Sequence, residues 1–262
     1  MKHNIKITII LLSLFILAQL IGLVIVKNYI SLPLPYNIEK PEIKETTSFI
    51  PLTFIILIAT ALALFLLYFR AKRVWKFWFF ASVLFCLLIA FGVFVNETIA
   101  LMLAAIFSLL KIYRPNVFIH NFTELFIYGG LAALFVPVLN IFSISILLVI
   151  ISIYDMVAVW KTKHMIKLAK FQSKLKVFAG LLIPYGKDKT AILGGGDIGF
   201  PLLFSGTVLK VYGLQPALLT IIFTSLALLF LLLIAEKKKY YPAMPFISVG
   251  CFIGLLVVSL VF

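Results

Sequence analysis

Leu193-Gly194-Gly195-Gly196-Asp197-Ile198-Gly199-Phe200-Pro201 sets a carboxylate inside an apolar run, directly after three glycines. A second acid, in Tyr154-Asp155, lies inside the apolar run before it. An ionised carboxylate in hydrocarbon is expensive, so an acid retained there points to function. Two such acids suggest a working pair, with the rest of the chain as the scaffold that joins them.

Composition fixes the class of scaffold. Of 262 residues, 64% are hydrophobic, against roughly 45–50% in an average soluble domain. The expectation is an all-α polytopic membrane protein in the cell membrane, with no soluble domain of note. The net charge of +14 reports orientation in the bilayer, because the lysines flank apolar spans. It does not point to nucleic acid. Cys86 and Cys251 both fall within apolar runs and read as buried thiols, not as a disulfide framework. His3, His120 and His164 lie far apart and belong to no Cys/His cluster, so neither a metal nor another cofactor is expected.

A membrane-crossing helix needs roughly 20 apolar residues. Nine runs qualify or nearly so: Ile7–Val26, Phe49–Phe69, Phe77–Val95, Ile99–Leu110, Val117–Val136, Leu139–Trp160, Ala191–Tyr212, Ala217–Ala235 and Pro242–Phe262. The first follows Lys2 and Lys6 without a small-residue cleavage site, so it reads as an uncleaved span. The fourth is short and needs Thr98 and the stem of Lys111 to reach across. Pro137 ends the fifth. Taking the amino-terminal side as inside, nineteen of the 23 basic residues fall on that side, Lys111 and Arg114 among them. The positive-inside rule then puts the amino terminus in the cytoplasm and the carboxyl terminus outside. Residues 1–262 form a single membrane domain, with spans one to five (1–137) as scaffold and spans six to nine (138–262) as the catalytic part.

Asp155 lies five residues before Trp160 and Asp197 six residues after Ala191. With both runs helical, each acid sits on the order of 8–9 Å from the cytoplasmic end of its span. Antiparallel neighbours then bring the two carboxylates to one level. The three glycines are poor helix formers and permit close backbone approach or local unwinding beside Asp197. Two like charges about 3 Å apart cannot both ionise, so such a pair holds one proton between them. That is the equipment of aspartic proteolysis. No Ser/His or Cys/His arrangement competes with it.

Tyr241-Pro242-Ala243-Met244-Pro245 opens the last span at the same side. Together, Tyr154-Asp155, the G-x-G-D of Gly194 to Asp197, and a Pro-Ala-x-Pro at the start of the ninth span resemble the GxGD intramembrane aspartyl proteases. This is the family of presenilin and signal peptide peptidase. Ile198-Gly199-Phe200-Pro201 is more similar to the signal peptide peptidase side, and the compact length to archaeal members. The resemblance implies Asp155 and Asp197 as catalytic. It implies Tyr154, Gly194, Gly195, Gly196, Pro242, Ala243, Met244 and Pro245 as active-site support. It also implies cleavage of transmembrane segments or signal-peptide remnants. Gly195 and Met244 depart from the best-known members, which carry leucine at both places. The first departure bears on substrate side-chain preference, and the second is nearly neutral in volume. Gln215-Pro216-Ala217-Leu218 also contains the letters Pro-Ala-Leu, but at the opposite end of the spans.

Other polar residues carry weaker signals. Glu124, with Asn121, Thr123 and His120 nearby, lies in the fifth span near the depth of the aspartates and is expected to make a helix–helix contact. The basic stretch from Lys161 to Lys176, interleaved with Met165, Ile166, Leu168, Phe171 and Leu175, suits an amphipathic helix on an anionic leaflet. Val177 to Tyr185 resembles the family segment that pairs with extended substrate by strand addition. Lys187-Asp188-Lys189 reads as a solvated charge cluster. Two rivals remain. A transporter or channel could line a path with the acids, but the halves show no convincing self-similarity. A prepilin-type peptidase also carries G-x-G-D, but with a Lys shortly after the Asp, and none stands there. The partners expected are the substrate helix and the bilayer. Accessory subunits and self-association leave no mark in the sequence.

Overall fold

In hydrocarbon each backbone N–H and C=O must find a partner within the protein, and an apolar run does so as a helix. The computed structural model describes residues 4–69, 71–162, 178–185, 189–236 and 241–261. Among them are nine long helices: α1 Ile5–Ser31, α2 Phe49–Tyr68, α3 Lys72–Phe91, α4 Glu97–Tyr113, α5 Val117–Phe135, α6 Ile141–Met156, α7 Gly196–Tyr212, α8 Leu214–Ile234 and α9 Met244–Val261. Seven are long and apolar enough to cross a membrane, α6 by way of its helical continuation to Lys161. The other two, α4 and α7, have 17 residues each.

Three expectations need correction. The fourth run is not confined to Ile99–Leu110. Asn96 caps its start, accepting from the Ile99 amide at 2.9 Å, and α4 continues to Tyr113, giving about 25 Å of helix at ~1.5 Å per residue. Lys111 is not a loop lysine but is buried within α4. Nor is the fold all-α. Strands β1 (Gly180–Tyr185) and β2 (Lys189–Gly194) form an antiparallel hairpin, with Leu182 opposite Ile192 and Gly180 opposite Gly194. A short apolar run does not declare itself helix or strand by periodicity, and the seventh run opens as strand from Ala191 to Gly194 before its helix begins. Of the interfacial helix expected over Lys161 to Lys176, residues 163–176 lie outside the described residues, as do Lys187 and Asp188 of the expected charge cluster, whereas Lys189 opens β2.

The core is organised around α1, which packs against α5, α7, α8 and the hairpin. Leu11, Phe15, Ala18 and Leu23 of α1 are buried there with Ile198, Leu202 and Phe204 of α7. Thus α7 is enclosed by its neighbours, whereas α2 lies at the rim against α3 and α6 with Phe54, Ile58 and Phe65 exposed, as suits lipid contact. Helices α3, α4 and α5 are held by a ladder of rings: Phe91, Phe107, Phe122 and Phe126, with successive centroids 5.1–5.9 Å apart.

At the far end of α7 from Asp197, the Lys210 ammonium donates to Glu45 Oε1 and the Pro137 carbonyl, both at 2.8 Å, and to the Leu139 carbonyl at 3.1 Å. One side chain therefore ties the first loop, the Val136–Val138 turn and α7 together. Pro137 does end the fifth run, as that turn. Cys86 and Cys251 are buried free thiols.

Candidate active site

Asp155 stands one residue before the end of α6, where the helix widens into a π-helical turn over Val157–Lys161. Such turns recur at functional sites. Asp197 is the second residue of α7. The two helices touch, and both acids sit at their adjoining ends. The approach to Asp197 is not the helix rise expected from the sequence. Ala191 to Gly194 is strand, and the three glycines mark the change from strand to helix.

The proline motif contributes a donor. The first amides of a helix have no partner within it, and prolines at 242 and 245 have no N–H to offer. The Met244 amide is left free to turn outward, and it donates to Asp155 Oδ2 at 3.2 Å. Pro242, Ala243 and Met244 are buried and Pro245 half-buried. Ser152 and Ser248 share a hydrogen bond at 2.8 Å that clamps α6 to α9 one turn away. Tyr154 is half-buried beside Asp155 on α6.

The glycines differ in what they accommodate. A Cβ at Gly194 would lie 3.1 Å from Asp197 Oδ2, and one at Gly195 would lie 2.8 Å from the Tyr128 hydroxyl. A Cβ at Gly196 would make ordinary contact with Phe200 at 3.6 Å, so space alone does not require glycine there. The Gly195 amide donates to the Ala179 carbonyl at 3.1 Å, which fixes the turn before α7.

Sequence reasoning missed Gln19. Its side-chain amide donates to the Ile198 carbonyl at 2.8 Å, bracing α7 one residue after Asp197. The signal available was a lone carboxamide in the otherwise apolar first span. Glu124 does make the helix–helix contact expected of it, an ion pair to Lys111 of α4 at 2.7 Å. It also accepts from the Gly180 amide of β1 at 2.9 Å.

That contact belongs to a row along β1. Asn121 donates to the Leu182 carbonyl at 2.7 Å and accepts from the Leu182 amide at 2.9 Å. His120 Nε2 meets the Gly180 carbonyl at 2.7 Å. Side chains of α5 therefore occupy the outer edge of β1 as a neighbouring strand would, and Pro184 has no amide to offer there. The outer edge of β1 is therefore closed to strand addition, contrary to expectation, while Val177 lies outside the described residues. Backbone groups alternate along a ladder, so Thr190 and Ile192 of β2 turn theirs away from β1. Those groups have no partner among the described residues. The Gln215-Pro216-Ala217-Leu218 stretch begins α8, a full helix length from Asp197.

A carboxylate pair, a backbone donor on one member and an open strand edge beside the other make a site suited to hydrolysing an extended peptide. Comparison with known proteins agrees. A model of the family described as signal-peptide peptidase, presenilin aspartyl protease matches residues 12–262. No curated protein matches the sequence. Among solved structures, a presenilin family intramembrane aspartate protease superimposes with a TM-score of 0.70 at 19% identity, covering 97% of this chain and 99% of that one. A second crystal form described in the same words gives 0.68 at 19% identity, with coverage of 96% and 97%. At that identity the likeness shows the fold, and the family match carries the activity. The chain belongs to the signal-peptide peptidase and presenilin family of aspartyl proteases, and is an intramembrane aspartyl protease.

Proposed function

We propose that Asp155 and Asp197 are the dyad with which this protease hydrolyses peptide bonds in transmembrane segments or signal-peptide remnants. The observation that carries the proposal is the placement of the two acids at the adjoining ends of the contacting helices α6 and α7, with the Met244 amide donating to Asp155. The ionised member takes a proton from water, and the protonated member donates to the scissile carbonyl oxygen. The resulting hydroxide equivalent adds to the carbonyl carbon. The tetrahedral diol then collapses with cleavage of the C–N bond, as the leaving nitrogen accepts a proton from one carboxyl and a diol hydroxyl gives its proton to the other. No covalent enzyme intermediate forms. The pair titrates as a unit, so neither role is fixed to one residue. Transport by the intramembrane acids is not favoured beside the family match. The direct test is photolabelling with a transition-state peptide isostere. The label is expected on α6 and α7, and labelling elsewhere would remove the dyad from the reaction.

The scissile bond must leave its helix to be reached, and the open edge of β2 can take the extended chain by strand addition. A hydrogen bond is worth about 0.5–1.5 kcal/mol net, so N-methylation of one substrate amide on that edge should slow cleavage up to about tenfold. Methylation at alternate amides should alternate between slow and unaffected. Uniform rates along the peptide would argue against pairing.

The proposed orientation keeps the amino terminus in the cytoplasm of a cell-membrane protein with nine spans. With Lys111 buried, eighteen basic residues remain on the inner side, and the bias survives. Cysteines introduced as Glu39→Cys and Lys238→Cys should react with a membrane-impermeant maleimide from opposite sides of intact vesicles. Reaction of both from one side would reverse the assignment of loops. Within one domain, residues 138–262 supply the proposed catalytic groups and residues 1–137 the scaffold.

A further inference from the structure

Behind the hairpin lies a cluster of polar groups that hydrolysis itself does not use. Lys111, His120, Thr123, Glu124 and Tyr128 are all buried. The Lys111 ammonium donates to Glu124 Oε1 at 2.7 Å and to Thr123 Oγ1 at 2.9 Å. It also lies 3.3 Å from both the His120 carbonyl and His120 Nδ1. A carbonyl only accepts, so His120 Nε2 carries the proton it gives to the Gly180 carbonyl at 2.7 Å. Nδ1 is then the acceptor that faces Lys111. Glu124 Oε2 accepts twice, from the Gly180 amide at 2.9 Å and from the Tyr128 hydroxyl.

Through β1 and Tyr128 this cluster bears on the backbone that carries Asp197. Gly180 pairs with Gly194 across the hairpin. The next residue back, Ala179, accepts from the Gly195 amide at 3.1 Å. The Tyr128 ring and hydroxyl fill the space beside Gly195 and run alongside Gly199. A buried ion pair gains little stability over apolar residues of the same shape, yet losing one partner is costly. What the cluster supplies is a fixed position for a glycine-rich turn that has no side chains of its own to lock it.

We propose that Lys111, Glu124 and Tyr128 are positioning residues that hold Asp197 opposite Asp155 by gripping Gly180 and Gly195. This rests on the dyad assignment above. None of the three touches the reacting atoms. Their task is to restrict where the strand-to-helix turn can sit, and so to keep both the carboxylate and the open edge of β2 in register with one peptide bond.

The test uses the full-length protein in lipid nanodiscs, with a single-span reporter peptide and active sites titrated by a transition-state isostere. The variants are Tyr128→Phe, Lys111→Met, Glu124→Gln and the double Lys111→Met/Glu124→Gln. A displacement of about 1 Å at a reacting group can cost ~100-fold. Tyr128→Phe and Lys111→Met are therefore expected to lower turnover per titrated site by about 10- to 100-fold, with KM within about threefold. Cleavage should also spread to neighbouring peptide bonds. The double variant should recover part of the Lys111→Met loss, because no carboxylate is then left unpaired. Fewer titrated sites, each cutting the same bond at the wild-type rate, would reduce the cluster to a stabilising role and overturn the proposal. Should Lys111→Met fail to fold, Tyr128→Phe keeps the volume and decides by the same readout. Asp197→Asn is run beside them. Cleavage surviving there would remove the dyad and this proposal with it. Its loss, alongside normal turnover and unchanged cut sites in Tyr128→Phe, would remove positioning alone.

Discussion

Asp155→Asn and Asp197→Asn should each lower cleavage of a single-span reporter by at least about 10³-fold, the scale of a lost general acid–base partner. Asparagine preserves shape and can still meet the Met244 amide at the Asp155 position, so helix packing should survive and the loss should fall on turnover. The two losses are not expected to add. One proton serves the pair, and removing either member ends its sharing. The double variant should therefore be no slower than the worse single one. The same sharing predicts a bell-shaped dependence of rate on pH. Activity falls toward acid, where both carboxyls hold protons, and toward base, where neither does. Cleavage retained by either single variant, measured by mass spectrometry of the products, would refute the assignment.

Much of this architecture could be read from hydropathy because apolar length and helix are nearly equivalent in lipid. Each of the nine expected runs overlaps a described helix. The errors share a physical cause: they fall where a polar or flexible residue is used inside the protein instead of at its surface. Lys111 follows an apolar run and precedes Arg114, so charge alone places it in solvent. Only the distant Glu124, thirteen residues later, reveals that it is buried in a pair. The hairpin was hidden for a related reason. Its outer edge is satisfied by Asn121, His120 and Glu124, and nothing in the local sequence of Gly180–Tyr185 announces partners some sixty residues away.

The candidate site was more legible than its support. Asp155, Asp197 and the proline motif each carry a local signature, and the fold gathers them. Gln19 carries only its lone carboxamide and Tyr128 nothing, because a single amide or phenol in an apolar span is compatible with many environments. Gly195 is instructive between these cases. Its departure from leucine was tied to substrate preference, but the Tyr128 hydroxyl stands 2.8 Å from where a Cβ would be. The absence of a side chain there has a cause on α5, whatever the substrate prefers.

Gly180→Ala should be the most damaging substitution outside the aspartates. Gly180 has φ +135°, where residues with a Cβ are strained, and an added Cβ would lie 2.2 Å from the Leu193 carbonyl oxygen. That oxygen belongs to the backbone of β2 and cannot rotate aside as a side chain would. The strand must shift, and with it the Gly180 amide that Glu124 accepts and the carbonyl that His120 holds. Backbone strain of this kind costs about 1–3 kcal/mol, and each buried partner left unmatched about 1–3 kcal/mol more. Gly194 pairs with Gly180, so the displacement reaches the turn before Asp197, and turnover should fall by about 100-fold or more. Gly213→Ala provides the comparison. Gly213 has φ +92° but nothing within 4 Å of an added Cβ, so strain acts there alone, at the distant end of α7. That variant should lose about 1–3 kcal/mol of stability while each folded molecule cleaves at the ordinary rate. Thermal unfolding and turnover per titrated site, measured on both, separate the two effects. Equal turnover in the two variants would mean that the hairpin does not control the position of Asp197.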